Sequence, residues 1–376
     1  MIYLDNAATS NPKPDCVIEA VTRAMKNFGN SGRAAHGQAM DAARTIYEAR
    51  EKIAELFHCS RPQNVIFTSN ATEALNIAIF GLINPGDHVI STDLEHNSVL
   101  RPLYSLIEKG VGVDFLRADE KGCIDYSDFE KFLKPNTKFI ICTHASNLTG
   151  NLLDLEWIGK FSREHNLIFI VDASQTAGSI PLDMELMNID VLCFTGHKAL
   201  LGPQGTGGLC VKDGLKIRTF KCGGTGVQTY LKKQPEELPT HLEAGTLNGH
   251  GIAGLLEALN FIERTGIENI HAQEINLMRK FYEGAKKIPG IKIYGDFSSD
   301  RAPILSLNFK DMPSGELADI LAEEFDIATR AGAHCAPRMH EALGTVEQGA
   351  VRFSFGYANT ELDVELALEA LRSICL

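Results

Sequence analysis

The chain has 376 residues, enough for two domains and a substantial buried core, and its 44% hydrophobic and 22% charged side chains are ordinary for a globular enzyme. A formal net charge of −12 argues against nucleic acid or an anionic membrane surface as the main partner. No apolar run approaches the roughly 20 residues that span a bilayer, and Met1-Ile2-Tyr3-Leu4-Asp5 carries no basic segment or signal-peptide core, so a cytoplasmic location is expected.

Taken in order, short β-branched and apolar runs recur at Asn64–Ser69, His88–Ser91, Val113–Leu116, Lys138–Thr143, Leu167–Val171, Val191–Thr195 and Gly208–Val211. Helical patterns lie between several of them, as at Thr72–Leu82 and Leu155–His165. This alternation predicts an α/β domain over residues 15–254, with a mostly parallel sheet covered on both faces and ligands at the carboxyl ends of its strands. Beyond about Gly254 the pattern changes. A long helical stretch from Leu255 to roughly Lys287 precedes Ile291–Tyr294, Ile304–Phe309, a helix near Ser314–Glu324, Ile327–Arg330, Val351–Phe355 and a terminal helix near Thr360–Ile374. Residues 1–14 and 255–376 are read as a smaller α+β domain. The nine cysteines are odd in number, form no Cys-x-x-Cys pair, and at 142, 193 and 210 sit inside apolar runs; neither a disulfide framework nor a metal site is expected.

The chemistry gathers at strand ends. Lys198, in Phe194-Thr195-Gly196-His197-Lys198-Ala199-Leu200-Leu201-Gly202-Pro203, follows an apolar strand and precedes a glycine-containing turn, a position suited to a covalent link with pyridoxal phosphate; by itself it reads equally as a loop lysine. Asp172 follows Leu167–Val171 and could pair with a protonated pyridine nitrogen, or simply close an Asx turn. Thr72 stands at a helix start whose amides could hold a phosphate, or where Asn70 or Thr72 merely caps. Thr195 and His197 flank the lysine and could reach the same phosphate. His96, just past a strand, could stack on a pyridine face and move protons, or be solvated.

Together, Tyr3-Leu4-Asp5-Asn6-Ala7-Ala8-Thr9, Thr68-Ser69-Asn70-Ala71-Thr72-Glu73, Glu95-His96, His144-Ala145-Ser146-Asn147, Asp172-Ala173-Ser174-Gln175, Thr195-Gly196-His197-Lys198 and Val351-Arg352-Phe353-Ser354 resemble the motif series of class V, fold-type I pyridoxal-phosphate enzymes, in the cysteine desulfurase and selenocysteine lyase group. The resemblance implies that Lys198 bears the cofactor, His96 stacks on its ring, Asp172 meets the ring nitrogen and Gln175 the phenolate oxygen. It implies that Thr72, Thr195 and His197 hold the phosphate and that Asn147 lies beside substrate and ring. Thr246, in Glu243-Ala244-Gly245-Thr246, resembles a phosphate contact given by a second subunit, which implies a homodimer.

Two features narrow the expected reaction. Arg352 offers a planar fork for a substrate α-carboxylate, with Arg330 as a second basic candidate in the substrate site; a surface ion pair is the alternative for Arg352. Arg330-Ala331-Gly332-Ala333-His334-Cys335-Ala336-Pro337 is similar to the short cysteine loop of one desulfurase subgroup, with Ala333 where that subgroup often carries a second histidine. His334, Arg330 and Arg338 are expected to surround Cys335 with positive charge and favour its thiolate. The expected function is therefore conversion of L-cysteine to L-alanine, with the sulfur carried on Cys335 as a persulfide and passed to an acceptor protein or thiol. Selenocysteine lyase is the alternative within the same fold, and a class V aminotransferase with carbon-centred chemistry the alternative beyond it.

Overall fold

The computed structural model describes residues 1–31 and 36–375. Its centre is a seven-stranded sheet in the order Val65–Thr68, Gly207–Val211, Val191–Thr195, Ile168–Asp172, Thr137–Thr143, His88–Thr92, Gly112–Leu116. Gly207–Val211 runs against both neighbours and every other pairing is parallel. The carboxyl ends of Val65–Thr68, His88–Thr92, Thr137–Thr143, Ile168–Asp172 and Val191–Thr195 therefore emerge along one edge. The strands are apolar on both faces because both are covered: Phe169, Val171, Leu192 and Phe194 enter one core cluster, and Ile170, Val191 and Cys193 the other.

The expected strands and helices of this region recur within one residue at nearly every end. The long helix expected after Leu255 is instead two helices, Gly249–Thr265 and Ile267–Ala285, broken at Gly266, whose φ of 86° a helix cannot continue through. Gly249–Thr265 packs on Asp15–Asn27 and Gly37–Leu56, beside the large sheet. The strand expected at Ile327–Arg330 also divides. Ile327–Ala328 pairs in parallel with Ile2–Tyr3, while Arg330–Gly332 joins a four-stranded antiparallel sheet with Ala350–Ser354, Ile304–Phe309 and Ile291–Tyr294. A third core, with Phe281, Leu305, Phe353 and Leu371, closes this sheet against the helices Ile267–Ala285 and Glu361–Ile374.

Candidate active site

Eight of the residues singled out from sequence, Thr72, His96, Asn147, Asp172, Gln175, Thr195, His197 and Lys198, line one cleft of about 470 Å³ at the carboxyl edge of the sheet. Each leaves a strand within a few residues of its end, and the parallel topology brings those ends together. Gly196 makes the lysine turn possible, since a Cβ there would lie 2.1 Å from Thr206 Oγ1.

Burial first, then the charges of Arg352 and Arg330, bring the Lys198 ammonium down to about 8, with Asp172 opposing. Near neutrality the amine is thus close to giving up its proton. Asp172 is 3% exposed, and its Oδ1 accepts from the amide of Ser174 at 2.9 Å and from the Ser174 hydroxyl.

His96 caps the helix Asn97–Ile107. Its Nδ1 accepts from the Ser98 amide at 3.0 Å and lies 2.9 Å from Ser98 Oγ, which in turn meets Thr72 Oγ1 at 2.7 Å. Burial pushes His96 down to about 4. It is therefore neutral, with its proton on Nε2, because Nδ1 is engaged as an acceptor. Thr72 does not cap its own helix, Ala71–Leu82; Asn70 does, accepting from the Glu73 amide at 2.9 Å.

Several buried polar atoms in the cleft have no partner in the protein: Thr195 Oγ1, His197 Nδ1 and Asn147 Oδ1. Burial lowers His197 to about 4, so that ring too is neutral. Unpaired groups of this kind are costly unless something meets them. Thr195, His197 and the start of Ala71–Leu82 fit a phosphate, the Asp172 carboxylate fits a ring N–H, and Lys198 fits an aldehyde carbon. The donor set thus suits pyridoxal phosphate. Gln175 Nε2 donates one of its two N–H groups to the Ala7 carbonyl at 3.2 Å, which orients the amide and leaves the second for a phenolate oxygen.

Arg352 lies fully inside, on Ala350–Ser354, with Arg330 opposite it in the neighbouring strand. Its fork is not free as the sequence reading expected. Nη2 donates to Asp5 Oδ1 at 2.8 Å, Nη1 to the Asn147 carbonyl at 3.0 Å, and Nε has no partner. The ring of contacts orients the guanidinium and leaves only part of it for a carboxylate. Asn147 itself donates to the His334 carbonyl at 2.7 Å.

Cys335 lines an open groove of about 820 Å³ beside the cleft, sharing Thr72, His96 and Ser98 with it. The Asn97 amide donates to the Cys335 carbonyl at 2.8 Å, which ties the cysteine loop to the turn bearing His96. His334 and Cys335 are both left-handed, with φ of 51° and 56°. His334 is 3% exposed, turned to the Arg330 carbonyl at 3.0 Å and stacked on His340, and burial brings it down to about 3. Arg338 donates to Asp93 at 2.7 Å and lies over the Phe115 ring. Of the three positive neighbours expected at Cys335, then, His334 is neutral and Arg338 is already paired. Arg330 remains, without a carboxylate partner among the described residues. Thr246 is exposed and outside the cleft.

Three groups here carried no role in the sequence reading. Glu95, the residue before His96, is fully buried and feels the Asp172 charge, with Oε1 accepting from Thr92 Oγ1 at 2.6 Å and the Thr143 amide at 3.1 Å. Asp5 holds Arg352. Glu243, three residues before Thr246, forms a buried pair with Arg50 and accepts from the Phe67 amide at 2.7 Å. Only Glu95 had a local signal, its place beside His96; the partners of the other two lie far away in sequence.

Residues 2–367 match the family model described as aminotransferase class-V. The chain is 34% identical, over 99% of its length and 94% of the relative's, to a probable cysteine desulfurase of Methanothermobacter thermautotrophicus. It is 30% identical to a cysteine desulfurase of Haloferax volcanii, over 99% of this chain and 88% of that one. The apo structure of cysteine desulfurase from Thermococcus onnurineus superposes with a TM-score of 0.94 at 32% identity, covering all of this chain and 94% of the other. The chain thus belongs to the aminotransferase class-V family, among its cysteine desulfurases.

Proposed function

We propose that this protein is a pyridoxal-phosphate-dependent cysteine desulfurase, taking L-cysteine to L-alanine and delivering the sulfur through Cys335 to an acceptor protein or thiol. Enzymes of this family use that cofactor in general. The observation that carries the reading is the docking of the Cys335 loop, by its carbonyl, on the turn bearing His96, beside a cleft that holds Lys198 and Asp172.

Lys198 would bear the cofactor, His96 would lie against its ring and Asp172 would meet its ring nitrogen. Thr72, Thr195 and His197 would hold its phosphate, and Gln175 its phenolate oxygen. When bound, the cofactor supplies an electron sink for charge developing on the substrate. The part of Arg352 left free by Asp5 receives the substrate carboxylate, with Arg330 and Asn147 alongside. Lys198 Nζ, brought down to about 8, is suited to take the α-proton and to return it. The Cys335 thiolate attacks the substrate sulfur. A sulfur–sulfur bond forms, the carbon–sulfur bond breaks, its electron pair stays with the organic fragment, and protonation of that fragment gives alanine. A homodimer, with Thr246 of one chain reaching the phosphate site of the other, belongs to the same reading. So does the division into a large domain, 15–254, and a small one, 1–14 with 255–376.

The test is an assay of the pure protein with pyridoxal phosphate and L-cysteine, measuring alanine and sulfide with and without a thiol acceptor. Lys198→Ala should abolish turnover and the lysine-linked chromophore. Cys335→Ser should keep the chromophore and bind cysteine, yet make almost no persulfide, since a hydroxyl cannot become one. Wild-type desulfuration by Cys335→Ser refutes the persulfide route, and stoichiometric keto-acid exchange without sulfide refutes the desulfurase reading.

A further inference from the structure

The turn carrying Lys198 is held from behind by a segment that no motif singled out. The carbonyl oxygen of His197, in the peptide bond that leads into Lys198, accepts from the Ser10 amide at 3.0 Å, Thr9 Oγ1 at 3.1 Å and Ser10 Oγ at 3.3 Å. It also accepts from Lys13 Nζ at 2.8 Å, and Lys13 donates in addition to Ser10 Oγ at 2.6 Å. A carbonyl oxygen has two lone pairs, so four donors exceed what holding the turn requires, and the ammonium is the strongest of them.

Lys13 is half-buried, and among the described residues no carboxylate pairs with it. A cation drawn out of water without a counter-ion is kept at a cost, and burial here brings it down to about 8. Its charge also bears on the His197 ring. The same segment reaches two other parts of the site, since Ala7 takes Gln175 and Asp5 takes Arg352. A lysine meant only to pin the chain end would need neither burial nor the peptide next to the reactive amine.

We propose that Lys13 is a positioning residue for Lys198, fixing through the His197 carbonyl the peptide from which the reactive amine projects and setting an uncompensated positive charge behind it. The inference rests on Lys198 being the cofactor-bearing lysine. The Lys198 nitrogen is faced by Asp172 and Asp5, which favour its proton, and by Arg352 and Arg330, which disfavour it. On this proposal the Lys13 charge, held at the preceding peptide, adds to the disfavouring side, so removing it should raise the pH at which that nitrogen titrates.

The experiment compares wild type, Lys13→Met and Lys13→Arg, with Lys198→Ala as the blank. It reads the affinity of the apoproteins for pyridoxal phosphate, the pH titration of the lysine-linked chromophore, and the thermal midpoint. Lys13→Met should bind pyridoxal phosphate about tenfold more weakly, as expected for loss of a charge-assisted contact. Its chromophore should titrate about half a pH unit higher or more. Lys13→Arg should recover both most of the way. Wild-type titration in Lys13→Met overturns the proposal, even in a less stable protein, because a purely structural clamp would change stability alone. Should Lys13→Met fail to fold, Lys13→Gln, which keeps a donor without the charge, is read by the same titration and the same criterion. A wild type that forms no chromophore overturns the cofactor reading and this one together; a normal wild type with an unmoved variant overturns this one alone.

Discussion

Glu95→Gln tests the electrostatics beneath the cleft. Glu95 is fully buried, with Oε1 held by Thr92 and the Thr143 amide and Oε2 without a partner. Burial, reinforced by the charges of Asp172 and Asp93, raises its carboxyl from 4.5 to about 8. The folded protein therefore keeps this proton through a range in which the unfolded chain has lost it. Stability from the group is complete below pH 4.5, falls as pH rises, and is gone above about 8. At about 1.4 kcal/mol per pH unit, the interval corresponds to about 5 kcal/mol. Glutamine keeps the Oε1 acceptor and has no proton to lose. Thermal or denaturant unfolding of both apoproteins across pH 5 to 9 should give a variant advantage that grows by about 1.4 kcal/mol per unit and levels off above pH 8. Parallel curves for the two proteins would refute a neutral Glu95 and leave two carboxylates charged under the same cleft.

Arg352→Ala should weaken cysteine binding by about 2–4 kcal/mol, read as KM for cysteine, with pyridoxal phosphate retained; an unchanged KM removes Arg352 from the substrate site. Glu243→Gln should lower stability by about 3–5 kcal/mol, because Arg50 is left buried without its counter-charge, and an unchanged unfolding midpoint would contradict that. If Thr246 reaches the phosphate site across the proposed homodimer, Thr246→Ala should weaken pyridoxal phosphate binding about tenfold while leaving the unfolding midpoint and the oligomeric state unchanged, as befits one lost hydrogen bond. Equal affinity, or a fully loaded active monomer, would rule out the cross-subunit contact.

The α/β class, the strands of the large sheet and eight of the residues lining the cleft could be named from the chain alone. Lys198, Asp172, Thr72, Thr195, His197 and His96 carry a local signal, an apolar run followed by a polar or glycine-containing turn, whereas Asn147 and Gln175 could be named only through the family resemblance. A parallel sheet turns that repetition into one site, because its strands must all point their carboxyl ends the same way. Gly266 was harder to read, since one glycine inside a helical pattern is often tolerated, and only its φ of 86° made it a break.

Side-chain partnership was decided by tertiary structure. Asp5 and Arg352 stand 347 positions apart and share a hydrogen bond, and Asp93 takes Arg338 across 245. Neither pairing leaves a trace in local pattern, yet each changes what its arginine can do. The cysteine loop makes the same point. Its sequence placed His334, Arg330 and Arg338 beside Cys335, but two successive left-handed residues turn His334 into the core, where it is neutral, and Arg338 is spent on a carboxylate. Sequence determines which chemical groups a chain carries and at which strand ends they emerge. Their charge and freedom are set by burial and by partners hundreds of residues away, and those exist only once the chain has packed.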